Sequence, residues 1–234
     1  MKKLIIIPAY NEANNLTKLI ESINEYAPSF DYIIINDCSL DNTKQLCHDM
    51  RYKVLNLPIN LGIGGAVQTG FKYAYNNGFD FAVQVDGDGQ HDPAFLQTMY
   101  NELIENNCNM IIGSRFINNE GFQSSGVRRA GIKFFTFFIK LLTGHTITDP
   151  TSGLRMVDSS IIKLFAMDYP KDYPEPESVV AILCQKFNVC EIPVIMKERQ
   201  SGVSSISIKN SIYYMVKVSL AMLIERIRGY RSAL

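Results

Sequence analysis

The chain has no tryptophan and only three histidines among its 234 residues. Its five cysteines include no CxxC pair and no spacing with the histidines that would build a metal site. An odd count without a framework predicts reduced, mostly buried thiols in a cytosolic protein. Net charge is missing as well, because 23 Lys and Arg balance 23 Asp and Glu. No global field therefore argues for nucleic acid, and any charged ligand must be met by a local patch. No segment reaches the ~18–20 uninterrupted apolar residues that span a bilayer. The start, "MKKLIIIPAYNE", is basic and then apolar, but its run from Leu4 to Ile7 is too short for a secretory signal and stops at Pro8. Internal repeats, low-complexity tracts and disordered linkers are absent too.

What is present is ordinary material for a sizeable core: 47% hydrophobic and 20% charged residues. The first half alternates apolar strands ("KKLIIIP", "YIIIND", "YKVLNLP", "FDFAVQVD", "NMIIGSRF") with helical segments. Leu16, Leu19, Ile20 and Ile23 share one helix face, further helices are expected from near Asp41 and from Gly64 to about Asn76, and Pro93 opens another. Continuous apolar strands separated by helices predict an α/β fold, a mostly parallel sheet flanked by helices. The second half is less regular. It reads as a helix ("GVRRAGIKFFTFFIKLLTG"), a loop running into a strand ("TDPTSGLRMVD"), a helix ("PEPESVVAILCQKF"), a strand ("NVCEIPVIMKER") and a long amphipathic terminal helix.

Ligands of such sheets gather at the carboxyl ends of the strands, where this chain puts "PAYNE", "NDCSLD", "DGDGQ" and "GSRF". The densest is "VQVDGDGQHDP", with Asp86, Asp88 and Asp92 within seven positions of one another. Crowded carboxylates raise one another's pKa unless a positive charge sits between them. Asp86, Asp88 and Gln90 offer oxygen donors suited to Mg²⁺ or Mn²⁺; the plainer alternative is a solvated acidic turn. His91 suits a hard cation poorly and receives no role. Tyr10 and Glu12 are placed to meet a base and a ribose, or Asn11 or Asn14 simply caps a helix there. Asp37 ends its strand where a carboxylate can accept a base N–H, while Ser39 or Asp41 caps the next helix. "NLGIGGAVQTG" either brings backbone close to a nucleotide or permits tight helix–sheet packing.

Seven ordered stretches, "IIIPAYNEANNL", "INDCSLDNT", "NLGIGGAVQTGF", "VQVDGDGQHDP", "IGSRF", "TDPTSGLRM" and "ERQSGVSS", cover residues 3 to roughly 205. With them the chain resembles the family 2 glycosyltransferases of GT-A fold, within the branch that glycosylates polyprenyl phosphates. Dolichyl-phosphate mannose synthases and bacterial undecaprenyl-phosphate glucosyltransferases belong to that branch. The resemblance implies a catalytic domain over 1–205 and a juxtamembrane or oligomerisation helix over 206–234. It implies nucleoside binding by Pro8, Ala9, Tyr10, Glu12, Asp37 and Gly65, with Asp86 against nucleotide or metal. Asp88 and Gln90 would ligate the Mg²⁺ or Mn²⁺ that bridges the diphosphate.

Carried over in the same way, Arg115 meets the phosphates and Arg128 and Arg129 the acceptor phosphate. Arg199 and Ser204 belong to a segment closing over the diphosphate, where Ser205 replaces the lysine common in mannose synthases. Glu177 is the acid expected beside the acceptor, with Glu175 as the competing choice. The implied reaction is inverting transfer of a sugar, glucose or N-acetylglucosamine, from a UDP-linked donor to undecaprenyl phosphate. The alternatives are extension of a lipid-linked saccharide at a sugar hydroxyl, with Glu177 as base, and a non-catalytic sugar-nucleotide-binding subunit.

Many relatives continue into transmembrane helices. Without them, the expectation is peripheral attachment at the inner face of the cell membrane, directly or through a separate small membrane protein, with a homo-oligomer also open. Two helices bear on this. Arg129, Lys133, Thr136 and Lys140 form one polar stripe, leaving Phe134, Phe135, Phe137 and Phe138 elsewhere on an apolar helix. Such a helix suits a membrane interface, with burial in the core as the alternative. The terminal helix ends with Arg226, Arg228 and Arg231, a pattern suited to an anionic leaflet or to packing on the domain or a second subunit.

Overall fold

A computed structural model of the chain describes residues 1–118, 120–121, 126–172, 174–197 and 208–232, without the side chains of 127, 208–213 and 229–232. Seven strands form one sheet in the order β3-β2-β1-β4-β6-β5-β7. These are β1 (Lys3–Ala9), β2 (Asp31–Asn36), β3 (Val54–Asn56), β4 (Phe81–Gln84), β5 (Met110–Ser114), β6 (Arg155–Asp158) and β7 (Val189–Pro193). All pairings are parallel except those of β6, which runs antiparallel to both β4 and β5. The sheet is therefore mostly parallel, as expected.

Strand β1 is buried throughout Leu4–Ala9, and its side chains alternate between two cores. Leu4 and Ile6 face the cluster built with α3 (Gly62–Asn76), α5 (Gly126–Thr143), α6 (Ser159–Met167), α7 (Pro174–Cys184) and α8 (Ile208–Ser232). Ile5 and Ile7 face the cluster built with α1 (Leu16–Tyr26), α2 (Thr43–Asp49) and α4 (Leu96–Glu105). Helix α3 can lie close to the sheet because Gly70 has no side chain: a Cβ there would meet Ile6 Cγ2 at 2.2 Å. The glycine-rich stretch thus serves tight packing at this position.

Several local readings change. Helix α6 is absent from the sequence reading; Asp158 caps it by accepting from the N–H groups of Ser160 and Ile161. Neither Asn11 nor Asn14 caps α1. Asn11 Oδ1 instead accepts from Leu40 and Asp41 N–H, lacing the β1 and β2 loops together. Cys38, Cys47 and Cys184 are free thiols, but Cys108 and Cys190 are joined as a disulfide. These two lie 82 residues apart in sequence, and the pairing of β5 with β7 brings Cys190 close to the residues just before β5.

Both outer helices divide their faces. In α5, Ile132, Phe135 and Ile139 are core, while Phe134, Phe137 and Leu141 are exposed beside exposed Lys133 and Lys140. In α8, Val218 and Met222 enter the core, and Val216, Leu220, Leu223, Ile224 and Ile227 form an exposed stripe. Among the described residues, no helix is long and apolar enough to cross a membrane. The division expected near residue 205 lies outside the described residues.

Replacing Gly70 by alanine should push α3 off β1 and cost about 1–3 kcal/mol. Gly131→Ala, in mid-helix with nothing within 4 Å of the new methyl, should gain up to about 1 kcal/mol. Urea unfolding midpoints of the two variants check the opposite signs.

Candidate functional site

At Pro8 the sheet opens. Strand β4 pairs with β1 only up to Ile6↔Gln84, and Pro8 has no N–H to continue the ladder. Its carbonyl instead accepts from Gly87 N at 3.3 Å. The chain leaving β4 turns here into "DGDG", with Gly89 at φ +75°, a left-handed conformation that favours glycine. Gly87 lies against the "PAYNE" loop, where an added Cβ would come within 3.0 Å of Pro8 O and 3.4 Å of Glu12 Cγ.

Asp86 shows its carboxyl partly to solvent, its side chain 34% exposed, while Gln84 Nε2 donates to its Oδ1 at 2.8 Å. Asp88 is buried and accepts from Gln90 N at 3.0 Å. It also borders a cavity of about 90 Å³ shared with Asn15, Lys18, His91 and Lys197. Gln90 is tied to the strand-β7 extension, its carbonyl accepting from Lys197 N at 3.0 Å.

Two carboxylates from one turn, with oxygen donors only, fit a hard cation that completes its shell with phosphate oxygens and water. Among the described residues no group of three or more His, Cys, Asp or Glu would hold a metal unaided.

Among the other expected nucleotide residues, Glu12 packs near Gly87 of the acidic turn. Tyr10 is 44% exposed. Glu12 accepts from Asn15 Nδ2 at 2.6 Å. Asp37 is buried, and its Oδ1 accepts from Leu61 N at 2.7 Å, fixing the loop before α3. Gly65 sits in the first turn of α3, where a Cβ would meet Leu61 Cβ at 2.4 Å. Pro8 and Ala9 are buried.

The "TDPTSG" loop, residues 148–153, forms the far wall and is bound through a buried polar network. Arg115 is 6% exposed and grips Asp149 through two contacts, Nε to Oδ2 at 2.7 Å and Nη2 to Oδ1 at 2.8 Å. The guanidinium expected at the phosphates is thus committed to a carboxylate inside the protein. Glu191 of β7 accepts from the N–H groups of Thr148 and Asp149. Arg155 of β6, also buried, donates to the carbonyls of Pro150 and Ser152 and to that of Glu175 in α7. Sequence reasoning gave no role to Asp149, Arg155 and Glu191, although the first two stand in the matched stretch "TDPTSGLRM"; for Arg155 and Glu191 a further signal was charge inside apolar strands.

The two acids of "PEPES" part company. Glu175 turns toward the site: burial raises its pKa, Arg155 lowers it, and Asp86 and Arg128 also act on it. Glu177 lies instead in a cleft between α6, α7 and α8 with Asp168, Glu225 and Arg228. Burial, then Glu225, push it up to about 7. The structure therefore does not bring Glu177 to the carboxyl ends of the strands, because the first turn of α7 sends residues two apart to opposite sides. Arg128 is exposed overall. Its pKa is nonetheless lowered, first by partial desolvation against the domain and then by the Arg115 charge. Arg129 is exposed on α5. Arg199 and Ser204 lie outside the described residues.

Residues 4–165 match the glycosyl transferase family 2 profile. Over 214 residues the chain is 31% identical to a UDP-N-acetylglucosamine–dolichyl-phosphate N-acetylglucosaminyltransferase of Methanococcus voltae, a match covering 81% of this chain and 83% of that one. It is 25% identical to a polyprenol monophosphomannose synthase of Mycolicibacterium smegmatis, over 97% and 91% of the respective chains. An undecaprenyl-phosphate mannosyltransferase of Micrococcus luteus is 26% identical over 88% of each. Among solved structures, glucosyl-3-phosphoglycerate synthase from Mycobacterium tuberculosis, in complex with Mn²⁺, uridine diphosphate and phosphoglyceric acid, superposes with a TM-score of 0.71. That match is 16% identical and covers 96% of this chain and 78% of that one, a likeness of fold.

In the unfolded chain a glutamate ionises near 4.5, whereas folded Glu177 does so near 7. The unfolded state loses its proton first, so this group makes stability fall as pH rises from about 4.5 to about 7. Glu177→Gln should flatten that fall. Urea midpoints at about pH 5 and about pH 8 check it, an unchanged pH difference being the contrary result.

Proposed function

Since the chain belongs to glycosyltransferase family 2, we propose that it transfers a sugar from a UDP-linked donor to a polyprenyl phosphate at a membrane surface. Glu175 interacts electrostatically with both Asp86 and Arg128, and α5, which carries Arg128, exposes Phe134, Phe137 and Leu141 on its outer side. That link between an anion-seeking arginine and an exposed apolar helix carries the reading. The named activities of the three curated relatives, all on polyprenyl-type phosphates, support it.

On this reading the donor nucleoside lies across the rim formed by Tyr10, Glu12 and Asp37, with its diphosphate at the "DGD" turn. Asp86 and Asp88, with Gln90 beside them, would hold a Mg²⁺ or Mn²⁺ ion, which when bound would supply positive charge against the leaving diphosphate. Arg128 already feels the repulsion of Arg115, so an acceptor phosphate at Arg128 would be attracted by both charges. Arg129 adds to that field. An ionised phosphate is a ready nucleophile and needs no base. Glu175, half-buried and in electrostatic range of Asp86, then orients the neighbouring groups. A sugar-hydroxyl acceptor would give Glu175 the role of base, which its raised pKa favours.

The outer faces of α5 and α8 suit peripheral docking at an anionic bilayer. Exposed apolar side chains are accompanied on α5 by exposed Lys133 and Lys140, while on α8 Lys217 and Arg228 pair with Asp172 and Glu225. Attachment on the cytoplasmic side, a catalytic unit ending near residue 205, and glucose or N-acetylglucosamine as the sugar complete the proposal.

A turnover assay with Mn²⁺ or Mg²⁺ tests it, offering UDP-glucose, UDP-N-acetylglucosamine and GDP-mannose with and without undecaprenyl phosphate in detergent. Lipid-dependent nucleotide release with a glycolipid product is expected, and Asp88→Ala should abolish it while leaving the circular dichroism spectrum intact. Release with a saccharide acceptor only, or an active Asp88→Ala, would contradict the reading.

A further inference from the structure

His91 follows the acidic turn directly, yet its ring points inward and is 4% exposed. Its Nδ1 accepts the backbone N–H of Asp86 at 3.0 Å. A nitrogen that accepts an N–H carries no proton of its own, so the neutral ring holds its proton on Nε2. That edge lies 3.8 Å from Asp86 Oδ2, beyond hydrogen-bond reach, in contact without a direct bond. The ring therefore closes the turn by grasping the backbone of the residue that opens it.

The rest of the Asp86 side chain is restrained from the same side. Gln84, also buried, donates to Oδ1 at 2.8 Å. Gly153 leaves room for Oδ2. A Cβ at that position would stand 3.0 Å from Oδ2, 3.1 Å from Gln84 Nε2 and 3.3 Å from His91 Cε1. Backbone, one carboxylate oxygen and the space beside the other are each set by a different neighbour. Among the described residues, that leaves the solvent-facing edge of the carboxylate for a ligand.

We infer that His91 is the positioning residue of Asp86: by accepting the Asp86 N–H it fixes the direction of the carboxylate presented to the cation–diphosphate unit. The inference rests on the proposed role of Asp86 at that unit. The imidazole coordinates nothing and transfers no proton. Its contribution is a pre-set carboxylate, and groups that orient metal ligands in this way typically change affinity by about 10–100-fold when removed.

Two substitutions separate positioning from bulk. His91→Asn keeps an acceptor oxygen at the same distance along the side chain as Nδ1. His91→Leu fills the space but leaves the buried Asp86 N–H without its acceptor. Titration of Mn²⁺ in the presence of UDP, followed by the paramagnetic resonance of the free ion, reads affinity independently of turnover. His91→Leu should bind Mn²⁺ about 10–100-fold more weakly and His91→Asn within a few-fold of the unaltered protein, each variant first shown to be folded by thermal melting. Should leucine fail to fold, His91→Gln takes its place, because its amide lies one bond too far to serve as that acceptor. Unchanged Mn²⁺ affinity in a folded leucine or glutamine variant overturns the inference alone. An unaltered protein that binds no Mn²⁺ with UDP present overturns the cation reading and the inference together.

Discussion

The buried pair of Arg115 and Asp149 is the interaction on which the site depends. It ties the end of β5 to an irregular loop, and it does so where both side chains are buried. A buried pair of this kind earns little by Coulomb attraction, since desolvation takes most of it back, but removing one partner strands the other at a cost of about 3–5 kcal/mol. Its value is therefore one of specification. Glu191 holds the same loop through two backbone N–H groups, and Arg155 holds its carbonyls together with that of Glu175. With those contacts made, Gly153 comes to rest against Asp86 and the first turn of α7 points Glu175 inward. The acidic turn and the inward acid are thus two ends of one polar network.

The antiparallel strand β6 makes this possible. Inserted between β4 and β5, it carries Arg155 into the middle of the sheet at the level of Gln84 and Ile112. From there one guanidinium reaches both the loop and α7. On the outer side of the same region α5 divides its residues, Phe135 and Ile139 going to the core and Phe137 and Leu141 to the surface. The core reading of that helix is realised on one face, and apolar side chains remain exposed on the other because its apolar surface is wider than one neighbour can cover.

The sheet was legible where strands are continuous apolar runs, as in β1, β2, β4 and β5, because burial on both faces leaves that pattern. The acidic turn stood out for the same reason: charge placed directly after a buried strand breaks that pattern. Helix α6 was not read, being nine residues long and wedged between a strand and a loop. Glu175 and Glu177 were inseparable in sequence. Two helical residues differ by about 200° in direction, so one faces the site and the other the α8 cleft, and packing alone decides which. The partner of Arg115 lies 34 residues away, and local pattern carries no information on such a pair. His91 was set aside as a poor ligand, which left no reason to look for its hydrogen bond to the backbone.

The most direct test of the brace is a double-mutant cycle on Arg115 and Asp149, with unfolding free energy and UDP affinity measured for Arg115→Ala, Asp149→Ala and the double variant. A brace predicts that each single change costs about 3–5 kcal/mol of stability and that the double costs clearly less than their sum. Additive, small losses of stability, with the effect of Arg115→Ala confined to UDP affinity, would contradict it and make Arg115 a phosphate ligand.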